Sequence, residues 1–174
     1  LVVRAGEAEH MVERAFLTMG RRPNLAGLGL DALDLPLDGR GVPVFDAGTF
    51  RVGASPIYLV GDVNAHRPLL HEASDQGRIA GYNALRVTPQ CFKQRTPLAI
   101  TFSEPNIAVV GAAHRRLVAD GVDFVTGAVS FEGQGRALVK LENRGLLHVY
   151  AARDGGGLLG AELVAPGGEH LAHL

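Results

Sequence analysis

Apolar and polar positions change their period twice along this chain. The longest apolar run of the first half is Ile57-Tyr58-Leu59-Val60, introduced by Ser55-Pro56 and stopped by Gly61-Asp62-Val63. A short continuous apolar run bounded by turn residues predicts a buried strand, here one that ends in a glycine and then an acid. From residue 68 to 83 the period becomes helical. Leu70, Ala73, Gly77, Ala80 and Ala84 recur at spacings of three and four, which predicts a helix carrying one stripe of mostly small residues packed against a sheet. Pro68 suits the first helical position, where its missing N–H has no helical partner. Strand then helix is the repeating unit of α/β folds.

Upstream of that unit the signals are shorter. Residues 1–4 and 14–19 read as strands joined by a polar connection through Gly6 and His10, and Gly20 and Pro23 then mark a change of direction. Leu25, Leu28, Leu30 and Leu33 suggest a helical turn. Asp38-Gly39-Arg40-Gly41 is a turn, with 42–45 and 50–52 as short extended pieces.

From about Thr96 the texture changes again. Residues 98–102 and 107–110 predict strands separated by Ser103-Glu104-Pro105-Asn106, and 112–119 predict a short helix. Further strands are predicted at 122–131, 137–141, 146–152 and 158–164, with glycine or polar turns between them, and Gly167-Gly168-Glu169-His170 opens a last helix. Strands joined in sequence by short turns imply an antiparallel meander. The expected fold class is therefore α/β in the first half and α+β, with an antiparallel sheet, in the second.

Gly61 and Asp62 are the first candidates for chemistry. They fall at the carboxyl end of the predicted strand, where open α/β sheets bind ligands. Glycine lets a ligand approach the backbone, and an ionised carboxylate accepts hydrogen bonds from sugar or polyol hydroxyls. The first-turn amides of the following helix are a second place to hold an electron-rich group. The local pattern alone leaves a plainer alternative open, a strand-ending turn before an ordinary core helix.

Composition narrows the class. With 174 residues, 47% of them hydrophobic, the chain has enough apolar surface for one or two ordinary cores. A formal charge of −1, from 17 basic and 18 acidic residues without long runs of either sign, gives no reason to expect a nucleic-acid partner. No apolar stretch reaches membrane-spanning length and the first residues do not form a signal peptide, so no membrane partner and a cytoplasmic location are expected. One cysteine, Cys91, cannot form a redox pair within these residues. The histidines lack metal-site spacing, so no metal is expected.

Several segments, taken together and in order, resemble the carboxyl-terminal portion of the pyridine nucleotide-disulfide oxidoreductases. Gly20-Arg21-Arg22-Pro23-Asn24 is similar to that family's crossover out of its nicotinamide-binding domain, and residues 57–63 resemble its second FAD motif. Leu69-Leu70-His71-Glu72-Ala73 resembles the segment beside the flavin ring. Residues 102–111 resemble the start of the interface domain, and 159–167 its late strand and helix start. Within the family the chain is most like dihydrolipoyl dehydrogenase.

The resemblance implies more than the residues alone do. It implies FAD and NAD(P) as cofactors, a homodimer, and a dithiol or disulfide substrate such as a lipoyl group. The implied organisation is the tail of an NAD-binding domain at 1–19, the central segment of a Rossmann-like FAD-binding domain at 20–92, and an interface, or dimerisation, domain at 93–174. Asp62 would accept a hydrogen bond from a ribitol hydroxyl, with Gly61 letting the backbone pass close. Leu69, Leu70, His71 and Ala73 would lie along the flavin. Arg21 and Arg22 are expected in ion pairs.

The family's paired redox cysteines and its acid-base histidine have no counterparts here, so no catalytic residue is expected in these residues. They read as a segment of a longer flavoenzyme. A glutathione reductase, a mercuric reductase, a soluble transhydrogenase or a non-catalytic dimerisation module remain alternatives.

Overall fold

A two-residue turn sets the first element of the computed structural model, which describes residues 1–174. Val2–Ala5 (β1) and Ala8–Met11 (β2) pair antiparallel with Ala5 opposite Ala8, and Gly6 supplies the positive φ, 61°, that so tight a hairpin requires. The cross-strand pair Arg4 and Glu9 closes an ion pair at 2.6 Å. Both strands are exposed along their length. The second strand thus lies where the pattern suggests a polar connection, and residues 14–19 form no strand. Their apolar side chains, Phe16, Leu17 and Met19, are over four-fifths exposed, and an apolar run with no neighbouring strand has no ladder to join.

The chain folds as two compact units, Leu1–Phe92 and Lys93–Leu174. The first is built mostly from turns around a small core of Val42, Val52 and Leu59, with Leu25, Leu35, Phe45, Ile57 and Val63 against it. The leucine-rich stretch yields one 3-10 turn, Leu30–Ala32. Asp46 organises the next bend by accepting from the Gly48 and Thr49 amides and the Thr49 hydroxyl. Phe50 beyond it is fully buried and stacked on Phe45 at 6.0 Å.

The segment expected to be a sheet strand is extended, but it pairs locally. The Val52 amide donates to the Ile57 carbonyl and the Leu59 amide to the Phe50 carbonyl, both at 2.9 Å. The bend between them is stiffened by Arg51, whose guanidinium donates to the Ser55 and Ala54 carbonyls. With a partner five to nine residues away, residues 57–60 join no parallel sheet within this unit.

Leu70–Ala84 forms a single helix, α1. Its N-cap is Leu69, so Pro68 precedes the cap instead of opening the helix. The buried face also differs from the predicted stripe. Glu72, Gln76, Ala80 and Asn83 are buried, whereas Leu70 is 89% exposed and Gly77 and Ala84 are exposed. Hydrogen bonds explain the rotation: Asn83 donates to and accepts from the Gln90 backbone at 3.0 and 2.8 Å, and Gln76 binds the turn at Gly61. Polar side chains that satisfy buried loop amides hold this face inward.

The second unit is α+β. Leu98–Thr101 (β3), Asn106–Gly111 (β4), Phe124–Ser130 (β5), Leu146–Ala152 (β6) and Leu158–Ala165 (β7) form one antiparallel sheet in the order β3-β4-β7-β6-β5. It departs from a simple meander because β7 returns to lie between β4 and β6. His114–Ala119 (α2), Gly135–Lys140 (α3) and Gly168–Ala172 (α4) complete it. Residues 135–140 are helical where the pattern predicts a strand, because the Gln134 side chain caps the Ala137 amide at 2.6 Å and starts a helical turn.

Ala108, Leu163 and Ala165 make the core of one sheet face with Ile100, Phe131, Leu147 and Ala172. On the opposite face Tyr150 is fully buried. Its hydroxyl donates to Glu162 at 2.5 Å, and its ring meets those of His114 and Phe124. Burial, and then the hydrogen bond to the Glu162 carboxylate, push the Tyr150 phenol up to about 12.

Candidate functional site

Asp62 sits in a 3-10 turn, Gly61–Asn64, that follows the extended segment and precedes α1. Gly61 is buried and adopts φ 75°, a left-handed conformation natural to glycine. Its amide donates to Gln76 Oε1 at 2.8 Å, so the turn is bound to the middle of α1. Asn64 donates to the same oxygen at 2.8 Å and to the Leu59 carbonyl at 3.2 Å.

The Asp62 side chain is 49% exposed. One oxygen, Oδ2, accepts from Arg21 Nη1 at 2.5 Å, while Arg21 Nη2 donates to the Pro68 carbonyl at 2.8 Å. A single guanidinium therefore ties the turn to the residue ahead of the helix. About half of the Asp62 side chain stays exposed to solvent beside this pair.

Of the residues predicted to flank a ligand, Leu69 is the half-buried N-cap, Leu70 and His71 are exposed, and Ala73 is half-buried. The Ala73 Cβ stands 3.4 Å from where a side chain at Gly61 would begin. No side chain caps α1, because leucine offers no acceptor. The amides of its first turn and the positive end of its dipole are left for another partner.

Beside this turn lies a cleft of about 570 Å³ lined by Gly20, Arg21, Arg40, Asp62, Val63 and Pro68, among others. Arg40 is held by Asp38 and donates to the Ala65 carbonyl at 3.3 Å. Backbone amides of Val42 and Arg40, more than the Arg40 guanidinium, hold the Asp38 carboxyl below its usual range. The cleft thus offers one carboxylate among guanidinium groups, a setting that can take a ligand carrying both hydroxyls and negative charge.

The arrangement brings Gly61, Asp62 and Ala73 together. It adds residues the sequence pattern does not single out for the site: Gln76 and Asn64 as supports, and Arg21 as the partner of Asp62 itself. A polar residue four positions after Glu72 on a helix is the one available hint for Gln76, and it is indistinguishable from a solvated face without the loop it binds. No group of three or more histidine, cysteine, aspartate or glutamate side chains is placed to hold a metal ion. No helix is long and apolar enough to cross a membrane.

Known proteins match this chain over most of its length. Residues 98–174 match the family described as pyridine nucleotide-disulphide oxidoreductase, dimerisation domain. The dihydrolipoyl dehydrogenase of Bacillus subtilis (strain 168) is 32% identical over 148 residues, 85% of this chain and 31% of that protein. The mercuric reductase of Streptomyces lividans is 31% identical over 162 residues, 93% of this chain and 34% of that protein. Among solved structures, LpdA from Mycobacterium tuberculosis superimposes with a TM-score of 0.75 at 30% identity, covering 98% of this chain and 39% of that one. The chain spans about a third of the length of the curated relatives it matches.

Proposed function

We propose, on the premise that this chain is related to the carboxyl-terminal portion of the pyridine nucleotide-disulfide oxidoreductases and that residues 98–174 belong to their dimerisation domain, that it serves in an FAD-dependent disulfide oxidoreductase. The reaction would be electron transfer between NAD(P)H and a dithiol or disulfide substrate, of the dihydrolipoyl dehydrogenase kind. The observation that carries the proposal is the pairing of a half-exposed Asp62 with the uncapped start of α1, joined by Arg21.

These residues fit the cofactor. Asp62 would accept from a hydroxyl of the ribityl chain with the oxygen that Arg21 leaves open. Gly61, lacking a Cβ and set at positive φ, would let the chain of the ligand pass over the turn. The first-turn amides at Leu70 and His71 would face the flavin ring, with Leu69 and Ala73 as its apolar neighbours. Fixed dipoles placed there stabilise negative charge without reorganising.

FAD, when bound, supplies the two-electron relay between nicotinamide and sulfur. With one cysteine in 174 residues, the thiol pair for that relay would come from outside them. The second unit would supply subunit contacts in a homodimer.

An absorbance spectrum tests the reading. The protein purified at its full gene-encoded length should be yellow, with flavin bands bleached by NADH, NADPH or a reduced dithiol. A colourless preparation that takes up no added FAD would favour the non-catalytic dimerisation module instead. Comparing lipoamide, glutathione disulfide and Hg(II) as electron acceptors would separate the lipoyl enzyme from the reductase alternatives.

A further inference from the structure

Helix α1 buries polar side chains on its inner face, and one of them reaches the turn that presents Asp62. Gln76 is 1% exposed, as is Asn64. Gln76 Oε1 accepts from the Gly61 amide and from Asn64 Nδ2, each at 2.8 Å. Asn64 in turn donates to the Leu59 carbonyl at 3.2 Å and accepts from the His66 amide at 2.9 Å. One amide oxygen in α1 therefore gathers both sides of Asp62, and through Asn64 it reaches the residues that enter and leave the turn.

We infer that Gln76 is the positioning residue of the proposed flavin site, setting where the Asp62 carboxylate stands through the Gly61–Asn64 turn. The inference rests on the reading of Asp62 as a cofactor contact. Two donors converging on Oε1 fix which way the amide faces. Its Nε2 is then left buried with no hydrogen-bond partner. A buried donor without an acceptor is costly, so its presence marks a place where the oxygen on the other arm is needed. Gly61 needs it most, since a buried amide in a left-handed turn has no helical or sheet partner of its own.

Asn83 supplies the control. It lies on the same buried face, is 0% exposed, and hydrogen-bonds the backbone of Gln90 rather than the turn. A purely structural role for buried polar groups on α1 predicts the same consequences for both residues. A positioning role separates them.

The experiment measures FAD affinity and the visible circular dichroism of the bound flavin in the full-length protein for Gln76→Leu, Gln76→Glu, Asn83→Leu and Asp62→Ala. Gln76→Leu is expected to weaken FAD binding about tenfold or more, the scale of one lost buried hydrogen bond, and to shift the flavin dichroism. Gln76→Glu restores an acceptor and is expected to return both towards the parent values. Asn83→Leu is expected to lower thermal stability while leaving affinity and dichroism unchanged.

Should Gln76→Leu not fold, Asn64→Ala removes the other half of the tie and is expected to shift the dichroism in the same direction. Parent-like affinity and dichroism in Gln76→Leu, or in Asn64→Ala where that variant stands in, would overturn the inference if Asp62→Ala binds weakly. So would Asn83→Leu changes as large as those of Gln76→Leu. Parent-like binding in Asp62→Ala would instead remove the cofactor reading on which the inference stands.

Discussion

Replacing Tyr150 by phenylalanine tests the account of the second unit through its pH dependence. The phenol is fully buried, donates to Glu162 at 2.5 Å, and is pushed from 10.0 up to about 12. A folded state that holds a proton more tightly than the unfolded chain is stabilised at low pH, fully so below the unfolded value of 10.0. That contribution is lost as pH rises through about 12. The rise from 10.0 to about 12 corresponds to roughly 3 kcal/mol, of which about half is already gone at about pH 11.

Tyr150→Phe cannot titrate there. Urea denaturation of both proteins across that range should therefore show the parent losing its advantage, with the gap at about pH 11 smaller by roughly 1 kcal/mol than below pH 10. Other groups that titrate in this range act on both proteins and cancel in the difference. A gap that stays constant between about pH 9 and 11, or a Tyr150 absorbance step centred at 10, would refute the reasoning.

Three further outcomes are expected. Arg21→Gln should change folding stability by less than about 1 kcal/mol, with that loss fading in about 1 M salt, because the Arg21–Asp62 pair is 69% and 49% exposed; a larger, salt-independent loss by chemical denaturation would contradict this. Gly160→Ala should destabilise the second unit by about 2 kcal/mol or more, since its Cβ would collide with the Ala112 carbonyl oxygen, and an unchanged melting temperature would count against that packing. The Asp38 carboxyl, lowered by its hydrogen bonds, contributes stability above its ordinary value of 3.8 that is lost as pH falls through its lower folded value. A carbon NMR titration should place the Asp38 midpoint below 3.8, and a midpoint at or above that value would contradict the turn geometry.

Much of the second unit is legible from pattern. Residues 146–152 and 158–164 are apolar runs bounded by turns, which places β6 and β7 within a residue, whereas the pattern does not single out the buried Ala108, Leu163 and Ala165. The return of β7 to the side of β4 is not legible, because strand order depends on pairings across more than forty residues. Residues 137–141 mislead for a local reason: Ala, Leu and Val suit a strand as well as a short helix, and the deciding hydrogen bond comes from Gln134 outside the run.

The first unit is harder to read. The segment at 57–60 stands out by its apolar run and its terminal Gly61-Asp62, yet its partner is the nearby 50–52 bend. The stripe on α1 misleads because small residues suggest a packed face. That face is instead chosen by Glu72, Gln76 and Asn83, whose loop partners give no periodic signal. Asp62 is visible through its position after a strand-like run, whereas Arg21 as its partner, forty-one residues away, is not.

The central claim is that Asp62, together with the uncapped amides that begin α1, holds a flavin. Titrating FAD into the apo form of the full-length protein and of its Asp62→Ala variant measures it directly, by quenching of flavin fluorescence. Tight binding by the parent and at least about tenfold weaker binding by the variant are expected, the worth of one hydrogen bond to a charged acceptor. Equal affinity in the two proteins would contradict it.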